Sequence, residues 1–207
     1  MRDQTAGWPF VALGVLLFVG TYLGLAVLAS PAVDQGRQII SEQGMVTALS
    51  SSLLAAAGAF FLVAAIAENR DRHRLFFAVV AVGFFYFSID EIVQIHEKAG
   101  SAFGRVVGGS GAFRNFNDVM VIGYGIIAIA VLAAFFREAS RHPEFVRWVS
   151  VGFGFFVLHT AIDSLAFQPT TRSRVLEESA KLFASAFFAV AGYRVAAAII
   201  RRLRRPA

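Results

Sequence analysis

The chain has 207 residues, 57% hydrophobic and 16% charged, with no cysteine and a formal charge of +5. A soluble domain carries about 25% charged residues, so this balance points to transmembrane helices instead. Without cysteine there are no disulfides, thiolate metal sites or cysteine nucleophiles, and the basic residues sit in short loops that suit lipid headgroups rather than nucleic acid.

The expected architecture is an all-α integral membrane bundle, a single membrane domain over residues 1–207. Its first span is expected at about 8–28 and is read as a retained helix, because its apolar run exceeds a signal-peptide core. Pro31 to Gly44 is a polar connection. The second span covers about 45–67, where Ser50, Ser51, Ser52 and the Ala55–Gly58 run offer small residues for close helix packing. Glu68 to Arg74 breaks the apolar pattern, and the third span follows at about 75–95. Lys98 to Asn115 reads as a glycine-rich external loop without the lysine and Ser/Thr of a phosphate loop. Spans four, five and six are expected at about 117–136, 148–167 and 176–200.

Six spans place Arg2 and the arginines of 70–74, 137–147 and 201–205 on one side, eleven in all, against six Lys/Arg on the other. The positive-inside rule then makes both termini cytoplasmic. His73 and His142 fall in cytoplasmic loops and read as solvated.

Seven of the fourteen acidic residues and two of the four histidines fall in the outer halves of spans three to six. Ionisable groups there usually face the bundle interior and mark function. Asp90, Glu91, His96 and Glu97 close span three, His159 and Asp163 lie i, i+4 on span five, and Glu177 and Glu178 open span six. On one continuous helix Asp90, Gln94 and Glu97 share a face, flanked by Glu91 and His96. Two layers follow, Asp90 and Glu91 level with Asp163, and His96 and Glu97 nearer Asp118, Glu177 and Glu178. Lys98 and Lys181 are expected to snorkel to the interface, Lys181 being spaced to pair with Glu177 or Glu178 as well.

Carboxylates mixed with imidazoles suit a divalent metal, Fe, Zn or Mn. The Glu-x-x-His pairs of di-iron carboxylate bundles are missing. The expected function is a metal-dependent membrane enzyme, an oxidoreductase or hydrolase acting on a lipid-soluble or periplasmic substrate. The alternatives are a proton- or cation-coupled transporter, a haem protein with His96 and His159 as axial ligands, and a structural subunit of a membrane complex. The expected partners are membrane lipids, with a homo-oligomer or a membrane-complex partner as further options.

The motif Ser88-Ile89-Asp90-Glu91, followed by His96-Glu97 and by Glu177-Glu178, resembles a pattern of small bacterial multi-pass membrane proteins of unknown function. That resemblance covers spans three to six and implies an inner-membrane protein with no assigned activity. A weaker likeness is to membrane hydrolases related to alkaline ceramidases. Those hold zinc through three histidines, whereas only His96 and His159 are well placed here.

Overall fold

The computed structural model describes residues 8–29, 44–107, 116–165 and 171–204, and these are helical apart from short turns. The helices are α1 Trp8–Ala29, α2 Met45–Ala67, α3 Asp71–Val93, α4 Ile95–Val107, α5 Phe116–Ala134, α6 Phe136–Ser140, α7 Pro143–Leu165 and α8 Thr171–Leu203. Five of them, α1, α2, α3, α7 and α8, are long and apolar enough to cross a membrane. In α5 the run Val119–Ala134 is apolar but shorter.

α2, α3, α7 and α8 form the body of the bundle, with α2 packed on both α3 and α8, and α7 packed on α8. α1 lies outside against α8 and α2, most of its side chains exposed as a lipid-facing helix requires. Small residues allow the tight approaches, as the sequence suggests. A Cβ on Gly192 of α8 would stand 3.1 Å from the Ala57 carbonyl oxygen of α2. The Ser51 and Ser88 hydroxyls each donate to the other's carbonyl oxygen at 2.9 Å, tying α2 to α3. Ser50 and Ser185 hydroxyls lie 2.9 Å apart between α2 and α8.

The middle of the bundle is aromatic. Phe61, Phe76 and Phe77 are fully buried, and Phe84 and Phe145 nearly so. Phe61 stacks on Phe84 at 5.5 Å and on Phe77 at 6.3 Å, and Phe145 meets Phe76 edge-on at 5.1 Å. This core separates two polar ends. At one, the α2–α3 turn meets the α6–α7 junction, and we call it the Glu68 end. At the other, called the Asp90 end, the close of α3 meets the start of α8.

Two expectations change here. The third span does not run on to residue 95. It stops at Val93, and Gln94 adopts the left-handed conformation with φ 58° and ψ 47°. The stretch expected as an external loop from Lys98 is instead helical through Val107, and Phe103 packs edge-on against Phe116 of α5 at 5.1 Å. Residues 108–115 of that expected loop lie outside the described residues.

Candidate functional site

The Asp90 end is built around the break at Gln94. The Gln94 N–H donates to the Asp90 carbonyl at 2.7 Å, an αL cap of the kind that usually recruits glycine. Asp90, only 5% exposed, then turns its carboxylate onto the start of α4. Oδ1 accepts the His96 backbone N–H at 2.8 Å, and Oδ2 takes the His96 ring Nδ1–H at 2.8 Å. A carboxylate at a helix N-terminus also meets the positive end of the helix dipole.

This geometry corrects the single helical face. Because the helix breaks at Gln94, His96 is a direct partner of Asp90 rather than a residue flanking its face. Glu97 Oε1 lies 3.9 Å from His96 Nε2. Burial favours the neutral ring, but the hydrogen bond and charge of Asp90, with Glu97 and Glu91 behind, raise the His96 pKa above its ordinary value.

The two expected layers also merge. Lys181 of α8 places its ammonium 2.9 Å from Glu91 and 2.7 Å from Glu178, with all three side chains largely buried. It does not snorkel: the pairing expected with Glu178 is made, and Glu91 joins it from α3. His159 of α7 points Nδ1 at the Glu177 carbonyl oxygen, 3.3 Å away, so its ring proton is turned to the backbone of α8. Glu177 stands within electrostatic reach of Asp163 and Glu178, and His159 within reach of His96. The structure thus gathers Asp90, Glu91, His96, Glu97, His159, Asp163, Glu177 and Glu178 at one end of the bundle. The side chain of Asp118 lies outside the described residues.

The Glu68 end holds residues that sequence reasoning passed over. Glu68 and His73 are 2% and 3% exposed, so the expectation of a solvated His73 fails. Glu68 closes α2, takes the backbone N–H groups of Asn69 and Arg70 on Oε1, and binds Arg202 through Oε2 at 2.7 Å. Burial opposes its ionisation, but the Arg202 hydrogen bond and the Arg70 N–H outweigh that and lower its pKa. His142, immediately before the helix-opening Pro143, stacks edge-on against Phe77 at 4.9 Å. Burial and the neighbouring His73 depress its pKa to about 4. Glu68, His73 and His142 each bring one ligand atom within 4.8 Å of the others, so this group could hold a metal ion. Nearby, Arg72 pairs with buried Glu138 at 2.7 Å, and Arg194 reaches Glu144 at 3.4 Å. One signal for this end was present. The topology already put Glu68, His73 and His142 on the same side of the membrane.

Helical spans around two buried polar ends define a multi-pass, membrane-type helical protein. The chain belongs to the family described as Domain of unknown function (DUF8692), which matches residues 6–195. Comparison with curated proteins and with solved structures finds no match.

Proposed function

We propose that the Asp90 end is the working centre of a metal-dependent membrane enzyme, a hydrolase or oxidoreductase acting on a lipid-soluble or periplasmic substrate. The observation that carries this reading is the Asp90–His96 pair. A carboxylate holding Nδ1 fixes the imidazole and leaves Nε2 to a metal, the pattern that supports most ligating histidines. Glu97 brings Oε1 to 3.9 Å from that Nε2 and would be a further ligand. His159 offers a second Nε2, because its Nδ1 is engaged by the Glu177 carbonyl. Glu91 and Glu178 are held by Lys181 and act as its counter-charges rather than as ligands. A metal there would polarise a bound substrate or lower the pKa of a bound water toward about 7.

In this reading α5 is a sixth crossing. Arg72 at the start of α3 donates to the Ala134 carbonyl at 3.2 Å, and the Tyr86 and Tyr124 hydroxyls meet at 2.6 Å, which sets α5 alongside α3. Six crossings put both termini on the arginine-rich Glu68 side, taken as the cytoplasm of a bacterium. The phenylalanine-filled middle argues against a transport path from one end to the other.

The test is metal content of detergent-purified protein by mass spectrometry, wild type against His96→Ala and Asp90→Asn. The expected outcome is loss of a bound Fe, Zn or Mn in His96→Ala and about 10–100-fold weaker binding in Asp90→Asn. Metal content and affinity unchanged in both variants would overturn the reading. A Soret band would assign His96 and His159 to haem instead.

A further inference from the structure

We propose that Glu68, His73 and His142 form a second divalent transition-metal site, at the Glu68 end and independent of the centre built on Asp90 and His96. The three residues come from separate places, the end of α2, the first turn of α3 and the residue before α7. Their ligand atoms nonetheless converge to within 4.8 Å of one another.

The spacing is the main argument. His73 Nδ1 and His142 Nε2 lie 3.4 Å apart, long for a hydrogen bond, whose usual N···acceptor distance is about 2.9–3.0 Å. A tetrahedral zinc ion with Zn–N bonds of about 2.0–2.1 Å holds its two nitrogens about 3.4 Å apart. The gap therefore has the bite of a metal chelate. Two imidazoles and a carboxylate, in a chain without cysteine, suit zinc best among common ions and leave a fourth position for water. The carboxylate is already oriented, by Arg202 on one oxygen and two backbone N–H groups on the other. Such outer contacts hold ligands in place at metal sites.

Arg141 sets the condition for loading. Its Nη1 lies 3.2 Å from His73 Nε2, and a guanidinium only donates. In the metal-free protein His73 therefore accepts at Nε2 and carries its proton on Nδ1, facing His142. Metal binding at Nδ1 moves that proton to Nε2, so Arg141 must withdraw. Arg141 is exposed, so solvent is at hand to take up its guanidinium. Its removal eases loading twice, by freeing Nε2 and by deleting a nearby positive charge.

The experiment titrates zinc alone into chelator-treated, detergent-purified full-length protein, with stoichiometry by mass spectrometry and affinity by calorimetry. The variants are His142→Gln, Arg141→Gln and His96→Ala. The expected result is one zinc lost in His142→Gln and retained in His96→Ala, with at least tenfold tighter binding in Arg141→Gln. A wild type that binds no zinc, or a His142→Gln protein that binds as wild type does, would overturn the proposal. Should His142→Gln fail to fold, Arg141→Gln still decides, because unchanged affinity there also overturns it. Zinc lost in His96→Ala alone would leave the proposed centre standing and this second site refuted.

Discussion

Lys181 is the residue whose loss should be felt most. Its side chain is 16% exposed and lies between Glu91 and Glu178, which are 15% and 9% exposed. Lys181→Met keeps the volume but removes the ammonium that both buried carboxylates face. Removing one partner of a buried ionic set typically costs about 3–5 kcal/mol. The expected outcome is a large fall in the thermal midpoint in detergent, partly recovered by adding Glu91→Gln. A melt unchanged from wild type would show that the charges are relieved elsewhere. His142 supplies a prediction with a defined sign. Its folded pKa of about 4 lies below the unfolded value near 6.5. Folding therefore favours the neutral ring, and that stability is fully present above about pH 6.5 and is lost as the pH falls toward 4. Chelator-treated wild type should melt at falling temperature over that window, and His142→Gln should show a shallower slope. His96 runs the other way, because its pKa is raised, so its contribution fades as the pH climbs through the raised value.

At the scale of elements, the junction between α3 and α4 decides whether the Asp90 end exists. Gln94 holds a left-handed conformation that costs a non-glycine residue about 1–2 kcal/mol. Gln94→Val adds a β-branched side chain, for which positive φ is a genuine outlier. The helix should then either run straight on or lose its last turn, and both outcomes separate Asp90 from His96. The His96 ring resonances, followed by NMR against pH, should lose the raised titration in this variant, whereas Gln94→Gly should keep it. This junction was also the least legible part of the chain. The apolar runs of α2, α3, α7 and α8 declare themselves by length and lack of charge. No glycine or proline marks the break at Gln94. It is made by a side chain, since the Asp90 carboxylate captures the His96 N–H and so competes with helix continuation.

For the whole molecule, periodicity and charge bias located the polar residues along the chain better than they located them against each other. That Asp90, Glu91, His96, His159, Glu177 and Glu178 share one end followed from antiparallel spans alone. Which of them touch did not, because a lysine near a span end is expected to snorkel to the interface, and Lys181 instead binds Glu91 of another helix. The Glu68 end was missed for a related reason. Loop histidines are assigned to solvent by default, yet here the α2–α3 turn and the α6–α7 junction close over His73 and bury it.

The phenylalanine layer built on Phe61, Phe77 and Phe84 has an electrical consequence. A tightly packed apolar slab between two polar ends would take most of the fall of a transmembrane voltage. Moving one charge through the full drop is worth about 2.3 kcal/mol per 100 mV, but a proton that moves within either end crosses little of it. For the enzyme proposed above, chemistry at the Asp90 end would thus be insulated from the membrane potential, and its rate would be the same in an energised and a de-energised membrane.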